Sequence, residues 1–488
     1  MLDSWDLDEP HEECGVVGVY TPGSTEAART CFFALFTLQH RGQESAGIAV
    51  GDGEDIKVHR HLGLISQVFD EAIISGFRGH LAVGHTRYST TGSNVECNAQ
   101  PIPGSFRGTP FVLSHNGNLV NTTQLRREME EAGADFGTTG DSEVIVRVIE
   151  SMDASDLETA VLMALPRIQG AYSLVIGSPD QLFALRDPWG VRPLAIASLG
   201  GDQGYLIASE TCAFSPLGAR FLREIEPGEV VIIDRNGLRE IQAEPTEAHA
   251  ICLFEFIYFA RPDSYIYGVN LWGARLRMGH LLAKEHPVAA DIVIPVPDTG
   301  FPAAIGYAQE SRIPYTEGLI KNRYIQRTFI EPEQRMREQG VRMKLAPLKE
   351  NLLGRRVVVV DDSIVRGTTT KQQVRLLREA GATEVHLRIS SPAIRYPCYY
   401  GIDMAVQQEL IAHKYAVSDI RDLLGADSLG YLSLPNTIRA VGLSKDCFCR
   451  ACFDGKYPCP IPDAYRVTKE ALEAPAPAYG KRQPKARP

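Results

Sequence analysis

Long hydrophobic runs, basic targeting segments and an excess of positive charge are all missing from this sequence. No apolar stretch approaches the ~20 residues that a membrane-spanning helix requires. The opening residues, MLDSWDLDEPHEE, hold six acidic side chains and no lysine or arginine, which argues against a secretory signal and a transit peptide. The formal net charge of −10 argues against a nucleic-acid binder, because neutralising phosphates takes clustered Lys and Arg. We expect a soluble protein that binds neither membrane nor nucleic acid.

The 488-residue length predicts about two to three domains, and two different patterns divide the chain. Up to about residue 243, β-rich runs such as GVVGVY and FVLSHNGNL alternate with turn residues, with helical stretches near 25–39 and 141–153. This pattern predicts an α+β layered domain. From about residue 248, apolar strands alternate with amphipathic helices, as in a doubly wound parallel sheet. We place the boundaries at 1–13 for a leader, 14–245 and 246–470 for two domains, and 471–488 for a disordered tail.

The clearest chemistry follows the β-branched strand Val357–Val360. Two carboxylates at the end of this strand suit ribose hydroxyls or Mg²⁺, and the glycine and threonines beyond them open a helix, where anions bind. The residues expected to bind ligand here are Asp361, Asp362, Arg366, Gly367, Thr368, Thr369 and Thr370. The run VVVVDDSIVRGTTT resembles the site for 5-phosphoribosyl 1-pyrophosphate (PRPP) in type I phosphoribosyltransferases. An acidic turn capped by threonines is the alternative, and some repressors keep the same motif.

A basic segment precedes this motif. Residues 321–344 contain seven Lys or Arg against three Glu, which suits a loop that closes over pyrophosphate and excludes water. We expect Lys321 and Arg323 to bind the substrate, although a solvated basic loop would show the same composition. Thr299, in PVPDTG at the end of another strand, would contact Mg²⁺ or pyrophosphate, or merely cap a helix.

A candidate nucleophile stands at the start of the first strand. Cys14 opens CGVVGVY, and such a cysteine is usually a small buried hydrophobic residue. If residues 1–13 are removed, however, Cys14 gains a free α-amine whose pKa of about 8 suits a general base. One residue would then supply both nucleophile and base, and the acidic leader would be a propeptide.

Three further strand ends carry residues suited to glutamine. Arg87 in GHTRYST would grip a carboxylate by two hydrogen bonds. The Asn116 amide and the Gly117 N–H in SHNGN would form an oxyanion hole. Asp141 in TGDSE precedes a helix, so it would either hold the glutamine α-ammonium or cap that helix.

The cysteines argue for a reducing, cytoplasmic compartment, because no secretion signal accompanies them. Cys449 and Cys452 form a C-x-x-C pair, and Cys252 and Cys398 lie far away in the sequence. Four thiolates would hold Zn²⁺ or a [4Fe–4S] cluster, and spacing alone does not decide between them.

These motifs together resemble one family, the amidophosphoribosyltransferases. The resemblance runs from about residue 14 to 458 through CGVVGVY, LQHRGQESAGIA, GHTRYSTTG, SHNGNLVN, LFEFIYFARPDS, GLIKNRYIQRTFI and VDDSIVRGTTT. It implies an αββα Ntn-hydrolase domain, a class II glutaminase, followed by an α/β type I phosphoribosyltransferase domain. It also implies formation of 5-phosphoribosylamine from PRPP, glutamine and water as the first step of purine synthesis, with ammonia channelled between two sites.

The resemblance also implies roles for particular residues. Cys14 is the nucleophile exposed by propeptide removal; Arg87, Asn116, Gly117 and Asp141 bind glutamine or the oxyanion; and Thr299, Asp361 and Asp362 hold Mg²⁺. The subgroup with ICLFEFIYFARPDS and CxACFxGKYP carries a [4Fe–4S] cluster on Cys252, Cys398, Cys449 and Cys452. Cys447 and Cys459 lie near enough in sequence to substitute. Members of the family are inhibited by AMP- and GMP-type nucleotides and form homotetramers.

Rival interpretations belong to other classes. A PRPP-binding purine regulator without turnover would need neither the glutaminase residues nor the basic loop. A hexosamine-forming amidotransferase would carry sugar-isomerase domains in place of VVVVDDSIVRGTTT. A duplicated paralogue that has lost activity stays open, because intact motifs do not exclude it.

Overall fold

Runs of small and β-branched residues form two stacked antiparallel sheets in the first half of the chain. The computed structural model describes residues 14–88, 94–200, 204–244, 248–322, 345–402, 404 and 406–462. The strands of this half are β1 Gly15–Tyr20, β2 Ser45–Gly51, β3 Ile56–Leu62, β4 Leu81–Arg87, β5 Ile102–Phe106, β6 Thr109–Leu119, β7 Gly170–Gly177, β8 Leu182–Arg186, β9 Ala195–Ser198, β10 Tyr205–Ala208, β11 Arg220–Glu224, β12 Glu229–Asp234 and β13 Gly237–Gln242. Its helices are α1 Ala27–Thr37, α2 Ile65–Val68, α3 Glu71–Gly76, α4 Thr122–Glu131, α5 Asp141–Glu150 and α6 Leu157–Ala164.

Four layers result from the alternation of side chains along these strands. One sheet has the order β11-β9-β10-β1-β4-β2-β3 and the other β13-β12-β8-β7-β6-β5. On β1, Val17 and Val19 pack with helix α1, whereas Val16 faces the second sheet. Helices α4 to α6 cover the outer face of that second sheet. The αββα arrangement expected from the sequence is therefore confirmed.

The second half is built around a four-stranded parallel sheet of order β17-β20-β21-β22. The strands are β14 Ile251–Cys252, β15 Tyr265–Ile266, β16 Val269–Asn270, β17 Ile292–Pro295, β18 Leu319–Lys321, β19 Leu345–Pro347, β20 Arg356–Asp361, β21 Glu384–Ile389, β22 Ser428–Tyr431 and β23 Phe448–Cys449. The α-helices are α7 Leu271–Glu285, α8 Phe301–Ser311, α9 Lys349–Leu352, α10 Thr368–Glu379, α11 Ile411–Lys414, α12 Val417–Leu424, α13 Leu434–Val441 and α14 Ala451–Asp454, and a π-helix spans Glu255–Phe259.

Both faces of this parallel sheet are buried, as its apolar strands predict. On β20, Val358 and Val360 pack toward α7 and α8, while Val357 and Val359 pack toward α10 and α12. The doubly wound α/β domain is thus confirmed. Across the described residues, every helix is too short or too polar to span a bilayer. The predicted leader 1–13 and tail 471–488 lie outside the described residues.

The two halves share a buried interface. One hydrophobic cluster contains Val120, Ala171 and Val191 of the first half together with the apolar residues between positions 250 and 260 of the second. The buried Arg192 side chain donates to the Tyr400 carbonyl oxygen from Nε at 2.9 Å and from Nη2 at 2.6 Å. The interface therefore positions the two halves by polar contacts as well as by apolar packing.

Candidate active sites

A small pocket opens where the two antiparallel sheets end, and it collects most of the residues predicted to bind glutamine. Gly15 pairs with Thr86, so Cys14 and Arg87 lie at the same end of the first sheet. The second sheet contributes Gly117 through β6. The pocket is lined by Cys14, Arg87, Tyr88, Asn98, Gln100, Ile102, His115, Gly117, Thr138, Gly140, Asp141 and Ser142.

Asp141 is held as a charged group inside this pocket. It is the first residue of α5, and its Oδ2 accepts the Leu119 N–H at 3.0 Å and lies 3.6 Å from Nδ1 of His115. Burial opposes ionisation, but His115 and the Leu119 N–H outweigh it, so the pKa of Asp141 lies below its ordinary value. A buried carboxylate of this kind suits an ammonium group.

Cys14 lies in the pocket as a protonated thiol. Its Sγ donates to the Tyr88 carbonyl oxygen at 3.4 Å. Burial raises the pKa of Cys14 to about 11. Little of the thiol is therefore ionised at neutral pH, and attack on a carbonyl carbon requires a base.

The candidate oxyanion hole consists of the Asn116 amide and the backbone N–H of Gly117. Neither the nitrogen nor the oxygen of the buried Asn116 side chain has a hydrogen-bond partner among the described residues. Gly117 has φ 146°, and a Cβ there would lie 2.0 Å from the Ala171 carbonyl oxygen, so only glycine fits. Buried amides are normally paired. Asn116 itself does not line the pocket, although its neighbours His115 and Gly117 do.

A larger cavity of about 330 Å³ lies beyond the carboxyl ends of β17 and β20. The predicted residues that line it are Thr299, Lys321, Asp361, Asp362, Thr369 and Thr370. Gly367, with φ 83°, precedes the first residue of α10, Thr368, as expected, but neither lines the cavity. Arg366 also stays outside, and its Nε donates to Glu409 at 2.8 Å. Arg323 and most of the basic segment lie outside the described residues.

The acidic wall of this cavity is arranged around Asp362. Thr299 and Ser363 both donate to its carboxylate, the latter at 2.6 Å. Burial raises the pKa of Asp362 despite these bonds and the nearby Arg275. An oxygen-rich set of two aspartates and a threonine fits the chemistry of Mg²⁺. Within the described residues, however, no three His, Cys, Asp or Glu side chains are already spaced as a metal site.

Four of the predicted cluster cysteines converge, and all ten cysteines are free of disulfides. Cys252 pairs with Cys449 across the parallel strands β14 and β23. Burial, followed by the charges of Cys252 and Cys398, raises the pKa of the Cys452 thiol well above its ordinary value. Burial also raises the pKa of the Cys459 thiol, but there the charge that adds to the effect belongs to Asp187 and not to another cysteine. The four assigned thiols therefore lie near one another, although among the described residues no three of them are close enough to form a metal site.

Several lining residues were missed from the sequence. The larger cavity is also walled by His40 and Gln43 of the first half and by Tyr258, Arg261 and Arg275 of the second, and the smaller pocket by Asn98, Gln100, His115 and Ser142. His40 and Gln43 belong to the run LQHRGQES, which carries the family resemblance. Its local features are a histidine, an arginine and a glycine in the short loop between helix α1 and strand β2.

Comparisons with known proteins match both halves. The family profile described as glutamine amidotransferase domain covers residues 85–216, and that of the phosphoribosyl transferase domain covers residues 278–391. An amidophosphoribosyltransferase of Synechocystis sp. is 52% identical over 97% of this chain and 96% of its own length. That of Mycobacterium tuberculosis is 48% identical, over 96% of this chain and 90% of its own length.

Two solved structures have the same layout. The glutamine PRPP amidotransferase from Bacillus subtilis, complexed with ADP and GMP, superposes with a TM-score of 0.87 and 46% identity, covering 92% of this chain and 98% of that chain. A structure titled as the allosteric regulatory enzyme of purine biosynthesis gives a TM-score of 0.88 and 46% identity, covering 92% and 97%.

Fold and sites therefore define a class II glutamine amidotransferase joined to a phosphoribosyltransferase. Such a two-domain enzyme transfers nitrogen from glutamine to a phosphoribosyl group and is a glycosyltransferase. The chain belongs to the amidophosphoribosyltransferase family.

Proposed function

We propose that this chain converts PRPP, glutamine and water into 5-phosphoribosylamine, glutamate and pyrophosphate, and that it opens purine nucleotide synthesis. The observation that carries the proposal is the position of loop 40–44 between the two sites. His40 and Gln43 wall the larger cavity, while the Arg41 Nε donates to the Cys14 carbonyl oxygen at 3.1 Å and the Glu44 N–H to the Arg87 carbonyl oxygen at 3.1 Å. Ammonia made at one site is thus released one loop away from the other.

In the glutaminase half, removal of residues 1–13 would give Cys14 a free α-amine. The ordinary pKa of an α-amine, about 8, allows this amine to take the thiol proton. A base is needed because burial raises the pKa of the Cys14 thiol to about 11. Sulfur then bonds to the amide carbon of glutamine, while Asn116 and Gly117 stabilise the oxyanion. Arg87 holds the α-carboxylate and Asp141 the α-ammonium. The C–N bond then breaks as the α-amine returns the proton to the leaving amide nitrogen, which departs as ammonia, and water hydrolyses the thioester to glutamate and the free thiol.

In the phosphoribosyl half, Thr369, Thr370 and Lys321 would bind phosphate and pyrophosphate oxygens. Thr299, Asp361 and Asp362 would hold Mg²⁺, which offsets pyrophosphate charge when bound. The lone pair of ammonia bonds to C1 of PRPP as the bond from C1 to the pyrophosphate oxygen breaks, and pyrophosphate leaves with that electron pair. The new C1 ammonium group then loses one proton to give the amine. A path closed to solvent keeps ammonia unprotonated, so we propose that it passes between the sites without release.

Four finer features belong to the same proposal. Cys252, Cys398, Cys449 and Cys452 would hold a [4Fe–4S] cluster that fixes the C-terminal segment, because thiolate sets suit such clusters. AMP- and GMP-type nucleotides would inhibit, in line with the ADP and GMP named for the Bacillus subtilis structure. The free cysteines fit a reducing cytoplasm. We expect a homotetramer by family resemblance.

The test is glutamate release from the full chain with and without PRPP and Mg²⁺, together with intact mass. We expect amide-¹⁵N glutamine to label phosphoribosylamine without dilution by external ammonium, and the mass to show loss of residues 1–13. Cys14→Ala should abolish glutamine-dependent product and keep ammonia-dependent product. PRPP binding without glutamate release would instead support a regulator, and an active protein that retains residues 1–13 would reject the α-amine as the base.

A further inference from the structure

The guanidinium of Arg41 is clamped between two buried carboxylates. Nη1 lies 2.6 Å from Oε1 of Glu210, and Nη2 lies 2.7 Å from Oε1 of Glu255. A further donor, Nε, is 3.1 Å from the Cys14 carbonyl oxygen. We call these three side chains the Arg41 clamp. It connects the backbone of the candidate nucleophile to two carboxylates by direct hydrogen bonds.

The carboxylates of the clamp come from different halves of the protein. Glu210 follows β10 in the glutaminase domain, whereas Glu255 is the first residue of the π-helix in the phosphoribosyltransferase domain. Burial opposes the charge on Arg41, but Glu255 and Glu210 outweigh it and keep the pKa of the guanidinium above its ordinary value. The buried Arg192 lies 3.7 Å from Glu255 and adds a second positive charge. Buried charges paired in this way hold a fixed geometry, because separating any pair would leave a charge without compensation.

The π-helix that carries Glu255 is itself fixed from the phosphoribosyl side. Arg275 of α7 donates to the carbonyl oxygens of Phe256 at 3.0 Å, Tyr258 at 2.9 Å and Ala260 at 2.7 Å. Arg275 and Tyr258 also wall the larger cavity. π-Helical turns are rare and occur frequently at functional sites. Glu255 is therefore placed by the same residues that shape the phosphoribosyl cavity.

The loop that carries Arg41 has no room to move independently of the glutamine pocket. A Cβ at Gly42 would lie 2.5 Å from the Thr86 carbonyl carbon and 2.7 Å from the Arg87 nitrogen. Backbone packed this closely transmits a displacement directly. A shift of Arg41 would therefore move both Cys14 and the strand end that presents Arg87.

We propose that Glu255, acting through Arg41, is a positioning residue for Cys14, so that the phosphoribosyltransferase domain supplies part of the glutaminase site. The inference rests on the proposed function of Cys14 as nucleophile. Glu255 touches no substrate in this account. It fixes the orientation of Arg41, and Arg41 fixes the Cys14 backbone against the oxyanion donors.

The experiment compares Glu255→Gln with Glu229→Gln in the full-length enzyme. Glu229 is also buried and also pairs with an arginine, Arg223, at 2.7 Å, but it belongs to β12 and lines neither site. For Glu255→Gln we expect kcat for glutamine hydrolysis to fall roughly tenfold to hundredfold, as for other misplacements of a reacting group. The KM for glutamine should rise as well, because the strand end that presents Arg87 moves with Arg41, whereas the ammonia-dependent activity should stay within about threefold. Glu229→Gln should change none of these, and Glu255→Asp should recover part of the lost kcat.

Two results would overturn the inference. One is a glutaminase kcat for Glu255→Gln equal to that of Glu229→Gln. The other is a parallel loss of glutaminase and ammonia-dependent activity in both Glu255→Gln and Glu210→Gln, because a merely structural role predicts parallel loss. A parent enzyme that releases no glutamate would instead sink the proposed function, so the two failures are distinguishable.

Discussion

Adding one methyl group at Gly401 should damage the glutaminase while sparing the phosphoribosyl site. A Cβ at this position would lie 2.9 Å from the carbonyl carbon of Gly117 and 3.0 Å from its Cα and its oxygen. Because carbon atoms pack at about 3.5–4.0 Å, the backbone of the candidate oxyanion glycine must retreat by about 0.5 Å or more. Asn118, the next residue, also donates to the Tyr399 carbonyl oxygen at 3.0 Å. The contact thus joins the segment after Cys398 to the glutamine pocket.

The magnitude follows from two separable effects. Gly401 has φ 107°, which is strained for alanine and costs of order 1–3 kcal/mol of stability. Displacing an oxyanion donor costs about 2.7–4 kcal/mol of transition-state stabilisation when the donor is lost entirely. A partial displacement should therefore lower kcat roughly tenfold to hundredfold.

The control separates strain from displacement. Gly425 has φ 74°, and a Cβ there would meet nothing within 4 Å, so Gly425→Ala carries strain without a clash. Glutamate release and ammonia-dependent product formation are measured for both variants. We expect Gly401→Ala to lose the first activity and keep the second, and Gly425→Ala to keep both. Equal glutaminase kcat in the two variants would refute the assignment of Gly117 to the oxyanion hole.

Three further changes test other parts of the account. Asp141→Asn should lower kcat/KM for glutamine roughly thirtyfold, because a charged hydrogen bond of about 2 kcal/mol is lost; unchanged glutamine kinetics would contradict its role. Asp362→Asn should lower glutamine- and ammonia-dependent product formation together by about hundredfold, and an ammonia-dependent rate equal to the parent's would reject it. Burial raises the pKa of Glu224 to about 7, so the folded state holds this proton more tightly than the unfolded chain. Its stabilising contribution is complete below pH ~4.5 and is lost as the pH rises toward 7. Glu224→Gln should therefore melt above the parent at pH 8, the difference should vanish near pH 4.5, and a pH-independent difference would contradict the assignment.

The local parts of both sites could be predicted because they depend on short stretches of chain. The sequence shows a β-branched run that ends in two aspartates and is followed by a glycine. The structure places Asp361 and Asp362 in the cavity wall and gives Gly367 a positive φ. The helix expected near 25–39 is observed at Ala27–Thr37. Periodicity and turn residues decide such elements locally.

Contacts that join distant segments could not be predicted in this way. Arg366, for example, pairs with Glu409, 43 positions further along, and no local pattern predicts that contact. The pairing of Cys252 with Cys449 joins two-residue strands, which are too short to leave a hydrophobic pattern. The roles of His40 and Arg41 depend on how the two domains pack together, and no single-segment pattern records that packing.

The packing of loop 40–44 also explains why the two chemistries share one chain. Ammonia in water at neutral pH is mostly protonated and then has no lone pair for C1 of PRPP. An enzyme that hydrolyses glutamine beside an open phosphoribosyl cavity gains only if the two sites keep a fixed distance. A flexible linker would not fix it, whereas a buried arginine that bonds Cys14 in one domain and Glu255 in the other does. The charged hydrogen bonds at this interface thus fix the relative position of the two domains, whereas apolar packing alone would let them slide past each other.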